Sequence, residues 1–105
     1  MARINSYRNA LMRKQNELTK LLNDKAKEQK RISDTITKIN KAREAINRTK
    51  STSRIQSKHR EIIKGEKDLV TYYKKIAEIE TKVGRKNKEI QDAQKKVDKE
   101  LVSIE

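Results

Sequence analysis

The feature that most constrains this chain is a seven-residue spacing of large aliphatic side chains, kept in two stretches and broken once between them. Counting by sevens from Ile55 gives Ile55, Ile62, Leu69, Ile76, Val83, Ile90, Val97 and Ile104, apolar at every step. Counting from Ile4 gives Ile4, Leu11, Leu18, Lys25, Ile32, Ile39 and Ile46, apolar everywhere but Lys25. A heptad repeat held this long keeps one seam along slightly underwound helices, the pattern of left-handed coiled-coil packing. With 41% charged and 32% hydrophobic residues the composition is also compatible with disorder, but a disordered chain has no reason to keep the repeat.

The two series do not join in phase. Ile46 and Ile55 are nine residues apart, and the slip falls inside Asn47–Arg54, NRTKSTSR, a run without one large apolar side chain. Ser and Thr compete with helical backbone hydrogen bonds and favour turns and caps. Ser53 followed at the third position by Gln56 fits a capping box that starts a second helix. The reading is an all-α, long antiparallel two-helix coiled-coil hairpin, with helices at about 2–47 and 54–103 and a turn at 47–54. The chain is one domain, 1–105. Folding back at the turn places residues whose numbers sum to 101 opposite each other, Ile39 against Ile62 and Ile4 against Val97, on arms roughly 65 to 75 Å long at 1.5 Å per residue.

Tyr7, Leu21, Leu22, Ala26, Ile36 and Ala42 on the first arm broaden the apolar stripe, as do Ile63, Tyr72, Tyr73, Ala77, Ile79, Ala93 and Leu101 on the second. Burying a seam side chain contributes roughly 1.5 to 3 kcal/mol, against about 1 to 2 kcal/mol per residue to order the backbone. A lone hairpin is therefore marginal, and a homo-oligomer or a helical protein partner is expected, held by the Ile, Leu and Val seam. Lys25 either packs its stem while its ammonium reaches solvent or acts as a register-setting polar position. Gly65 and Gly84 each weaken the second helix by up to about 1 kcal/mol relative to Ala; either is a place for a close helix approach or a bend.

Chemistry is not evident. The sequence has no Cys and one His, so neither a disulfide nor a Cys/His zinc site is expected within one chain. It shows no phosphate-binding glycine loop, paired-His motif or nucleophile elbow. Ser57 and His59 are two apart on a helix and point away from each other. Glu78 with Lys82, Glu44 with Arg48 and Asp92 with Lys96 have the spacing of a solvated charged face. No enzyme activity, catalytic residue, cofactor or metal is expected. Nothing approaches the roughly 20 apolar residues of a membrane span, and no apolar run follows Met1, so the expected location is cytoplasmic, away from membranes.

The formal charge is +13. Residues 45–60 hold Arg48, Lys50, Arg54, Lys58 and Arg60 and no carboxylate, interspersed with Thr49, Ser51, Thr52 and Ser53. This tip is either a hydrated basic turn or an anion-binding site for phosphate or carboxylate, and a basic coiled coil binding nucleic acid or another anionic partner is the alternative function. The three tyrosines lie outside the tip, whereas readers of single strands add stacking aromatics.

The run Arg48-Thr49-Lys50-Ser51-Thr52-Ser53, then Ser57-Lys58-His59-Arg60-Glu61-Ile62, Lys75-Ile76-Ala77-Glu78-Ile79 and Lys82 resembles the N-terminal coiled-coil region of bacterial Toll/interleukin-receptor (TIR) domain proteins. The likeness covers about residues 30–100. In that family a separate C-terminal α/β domain cleaves NAD, and the coiled coil assembles or regulates it. What the resemblance implies for this chain is a non-catalytic oligomerisation, scaffold or sensing module of a bacterial anti-phage defence system, acting on an effector domain in cis or in trans. A secretion substrate of the WXG type fits less well, because the turn carries no Trp.

Overall fold

A computed structural model describes residues 2–104, the side chain of Ile104 excepted, so the last position of the second aliphatic series lies outside the described side chains. Helix α1 spans Ala2–Arg48 and α2 spans Thr52–Ile104, with no strand among the described residues. The fold is the all-α helical hairpin that the two heptad series predict.

The turn is tighter than the polar run suggests, three residues, 49–51, where 47–54 was expected. Ser51, not Ser53, caps α2. Its Oγ accepts from Arg54 N at 3.4 Å, its carbonyl accepts from Ile55 N at 3.0 Å, and its own N–H donates to Thr49 Oγ1 at 3.2 Å. With Arg54 at the third position there is no returning carboxylate, so the cap is single-sided, and Ser53 and Gln56 lie inside the helix. No described non-glycine residue takes a positive φ, which is why hydroxyl residues can make this turn without a glycine. Inside the helices Thr19, Thr35, Thr37 and Thr71 hydroxyls donate to the carbonyl four residues back, so their polar groups do not compete for other backbone.

Contacts group into two compact units, residues 1–25 with 78–105 and residues 26–77. In the first, Arg3 pairs with Glu100, Lys14 with Glu89 and Glu17 with Lys86, so the α1 and α2 segments run antiparallel. Its most buried apolar side chains are Ile4, Ala93 and Val97, flanked by half-buried Leu11, Leu18, Val83 and Ile90. In the second unit Ile39, Ala42 and Ile62 form a cluster against which Ile46 and Leu69 pack, with Ile32 also buried and Ile55 and Ile76 half-buried.

Each unit buries two positions per heptad. Three residues after each seam position comes a second buried or half-buried one: Tyr7, Lys14 and Leu21 against Ile79, Lys86, Ala93 and Glu100 in the first unit, and Glu28, Thr35, Ala42 and Thr49 against Lys58, Gly65 and Tyr72 in the second. The lysine stems pack there while their ammonium groups reach carboxylates. Glu28 is buried, accepts from Arg31 at 2.7 Å through Oε1, and leaves Oε2 without a partner.

The register is not a simple seam-on-seam pairing. Ile39 clusters with Ile62, as the number sum of 101 requires, but it also lies over Gly65, where an added Cβ would sit 2.7 Å from Ile39 Cγ1 and 2.9 Å from Cδ1. Ile39 thus inserts between two layers of the facing helix, as a knob enters a hole. The ion pairs Arg3–Glu100, Lys14–Glu89 and Glu17–Lys86, whose numbers sum to 103, sit at this intermediate register. Gly65 is therefore a close-approach glycine. Gly84 is not, since nothing lies within 4 Å of where its Cβ would be.

Candidate functional site

The seam residues are used inside the hairpin. Ile4, Leu11, Leu18, Val83, Ile90 and Val97 face one another in the first unit, and Ile32, Ile39, Ile46, Ile55, Ile62, Leu69 and Ile76 do so in the second, all buried or half-buried. Lys25 is half-buried and its Nζ reaches Glu80 Oε1 at 3.3 Å, so its stem packs and its charge leaves the seam.

The basic tip is only partly assembled. A concavity of about 470 Å³ is lined by Lys41, Glu44, Ala45, Arg48, Thr49 and Arg54, which brings Arg48 and Arg54 together with a cation the sequence reading missed. Lys41 is one heptad before Arg48 and shares its face, a signal available in the spacing. Lys50, Lys58 and Arg60 do not line it, and Lys58 Nζ is taken up by Glu61 at 3.2 Å. Two tip hydroxyls, on Thr49 and Ser51, already accept backbone N–H groups. Arg48 in the last turn of α1 complements that helix's dipole, whereas α2 has no acidic residue in its first turn.

In the first unit the charged side chains form a network. Lys86 Nζ lies 2.5 Å from Glu17 Oε2 and 2.7 Å from Glu89 Oε2, and Lys14 is 3.8 Å from Glu89. The hydrogen bond from Lys86 holds the Glu17 and Glu89 carboxyls below their ordinary range, with nearby Lys14 adding to the effect. The same bonds, to Glu17 first and Glu89 second, push the Lys86 ammonium up. Each of these bonds favours the charged form of the groups it joins. A groove of about 400 Å³ runs beside them, lined by Leu21, Lys82 and Arg85 among others. Lys96 stands 6.0 Å from the centre of the Tyr7 ring, a cation–π contact at the limit of its range. Among the described residues no group of three His, Asp or Glu side chains is placed to hold a metal, and no helix is long and apolar enough to cross a membrane.

The residues that sequence reading grouped as one broad stripe divide in two. Tyr7, Leu21, Ala42, Tyr72, Ile79 and Ala93 belong to the second buried series. Leu22, Ala26, Ile36, Ile63, Tyr73, Ala77 and Leu101 stand on outer flanks, exposed. Met12, Val70 and Val102 are exposed as well.

What these features define is a class, the helical hairpin with a largely charged surface and some of its apolar side chains uncovered. Beyond the class, no protein-family model, curated protein or solved structure matches the chain.

Proposed function

We propose that this chain is a non-catalytic coiled-coil assembly module. One observation carries the reading. Among the described residues eight large apolar side chains, Met12, Leu22, Ile36, Ile63, Val70, Tyr73, Leu101 and Val102, stand exposed, and no side chain is fully buried. Two helices bury one stripe each, and a chain that also carries apolar residues outside it has surface to give to further helices. The turn's resemblance to the N-terminal coiled coils of bacterial TIR effectors supports placing such a module in anti-phage defence, where it would scaffold or sense for an effector domain in cis or in trans. The test is light scattering behind size exclusion on nuclease-treated protein over a range of concentrations. A mass above 12.3 kDa that rises with concentration is expected; a monomer at every concentration removes self-assembly.

A second reading has its own observation, the tip concavity with Lys41, Arg48 and Arg54 against the single carboxylate Glu44. It makes the hairpin a basic partner for nucleic acid or another polyanion. Binding should then fall steeply with salt as counterions are released, and should be lost in Arg48→Glu/Arg54→Glu. No binding at low salt removes it.

A further inference from the structure

We propose that a second copy of this chain docks face to face on one flank of residues 26–77, covering Ile36, Ile63, Val70 and Tyr73. The inference rests on the assembly reading above and says which surface performs it.

Geometry places these residues together. On both helices the flank consists of the positions one and four after each seam residue. Arg43, four after Ile39, pairs with Glu66, four after Ile62, at 3.5 Å, so the two flanks border the same side of this unit. One heptad from that pair along each antiparallel helix stand Ile36 and Tyr73, at the same positions of the repeat and so on the same side of this unit. Ile63 and Val70, one after Ile62 and Leu69, lie just outside them. All four are exposed, from 40% for Ile36 to 55% for Val70 and Tyr73.

Charge selects the occupant. Residues 26–77 carry fifteen Lys or Arg and six Asp or Glu, a net +9. On this flank, at Ala26, Gln29, Ser33, Ile36, Asn40, Arg43 and Asn47 of α1 and Gln56, His59, Ile63, Glu66, Val70, Tyr73 and Ala77 of α2, the one cation is Arg43, and Glu66 neutralises it. The other fourteen cations lie on the remaining surface. An acidic protein or a polyanion is drawn to those surfaces and finds no charge to recognise here. A second copy meets the reverse: the rest of this unit carries fourteen cations against five carboxylates, whereas this face has no net charge and holds all four of the unit's exposed large apolar side chains. A two-fold axis through it makes the surface self-complementary, the closed arrangement of common homodimers. Residues 26–47 span about 33 Å, and two helices are about 20 Å across, a footprint of roughly 650 Å², near the ~800 Å² per partner of a standard interface. The product is a four-helix arrangement in which these side chains gain the cover that two helices cannot give.

The experiment uses the full chain in light scattering and sedimentation, comparing wild type, Ile63→Glu/Tyr73→Glu and, as an exposed control off the flank, Thr71→Glu. The expected result is a dimer of twice 12.3 kDa for wild type and control and 12.3 kDa for the double variant, with helical circular dichroism kept. Salt should leave the dimer intact or strengthen it, because screening weakens cation–cation repulsion. A dimer that persists in the double variant overturns this face while leaving assembly standing; a wild type that is monomeric throughout overturns both. Dissociation by salt overturns the face as well, since it reports copies bridged through their cationic surfaces. If the double variant loses its helices, the single variants Val70→Cys and Thr71→Cys decide. Maleimide should label the Val70→Cys protein slowly at high protein concentration and rapidly on dilution, and the Thr71→Cys protein rapidly at both; equal rates for the two variants overturn the proposal.

Discussion

Replacing each of the two glycines by alanine should stabilise the protein at Gly84 and not at Gly65. Both lie inside α2, where alanine is favoured over glycine by about 0.8 to 1 kcal/mol. At Gly84 nothing meets the new methyl, so Gly84→Ala should gain most of that, raising the melting temperature by about 4 °C or more. At Gly65 the methyl would stand 2.7 Å from Ile39 Cγ1 and 2.9 Å from Cδ1, against about 3.5 to 4.0 Å for comfortable carbon contact. Ile39 is itself buried, so it must leave its rotamer at about 0.5 to 1.5 kcal/mol or the helices must part. Overpacking of this kind costs about 1 to 3 kcal/mol, which leaves Gly65→Ala neutral to about 2 kcal/mol destabilising once the helix gain is deducted. Urea denaturation followed by circular dichroism, at one fixed protein concentration because association shifts the midpoint, measures both. Ile39→Val, which deletes Cδ1, should return part of the penalty in the Gly65→Ala background. If Gly65→Ala stabilises as much as Gly84→Ala, Ile39 does not pack against the backbone at Gly65.

Four further outcomes are expected. Ser51→Ala should lose about 1 kcal/mol of stability with the cap, while Ser53→Ala stays within about 0.5 kcal/mol of wild type; the reverse order in thermal melts would restore Ser53 as the cap. Arg54→Glu completes the missing half of a capping box and complements the helix dipole, so it should stabilise by roughly 0.3 to 1 kcal/mol while weakening anion binding at the tip, a divergence readable by melting and by titration with a polyanion. Glu28→Leu removes a buried carboxylate whose Oε2 has no partner, at the loss of its bond to the exposed Arg31, and should be neutral or stabilising; a loss above about 1 kcal/mol would show that the Arg31 pair outweighs the burial of the charge. In carbon-detected NMR titration Glu17 and Glu89 should protonate below an ordinary glutamate and move back up in Lys86→Met. Their lowered values mean that this stabilisation is present above the unfolded glutamate pKa of about 4.3 and fades as pH falls through the folded values. The raised Lys86 value makes its share complete below about 10.4 and lost as pH climbs through the folded value.

Half of the packing was legible in the sequence, and the division has a physical origin. The seam is aliphatic at every described position but Lys25, so its period stands out against a charged background. The second buried series includes Lys14, Glu28, Thr35, Thr49, Lys58, Lys86 and Glu100, residues that read as surface because their polar ends are. Only a structure shows where their stems lie. Without that series the register could be read one way, seam on seam, and the intermediate layering with Ile39 over Gly65 stayed hidden. The turn was found in the right place but drawn too wide, since Ser53 and Gln56 match a capping pattern that Ser51, lacking a carboxylate three residues on, does not. At the tip, five cations adjacent in sequence were grouped together, yet helix geometry turns Lys58 toward Glu61 and brings Lys41 in from a heptad away.

The short turn also orders events in time. Joining Ile39 to Gly65 closes 26 residues of chain, whereas joining Arg3 to Glu100 closes 97. Because the entropy lost on closure grows with loop length and short-range contacts form first, the segment nearest Ser51 should nucleate and each added layer should then face a loop already shortened by the one before. The hairpin is in this sense a zipper with a fixed starting end. Amide exchange should accordingly be slowest around Ile39 and Ile62 and fastest near Ile4 and Val97, although Ile4 and Val97 are at least as well buried.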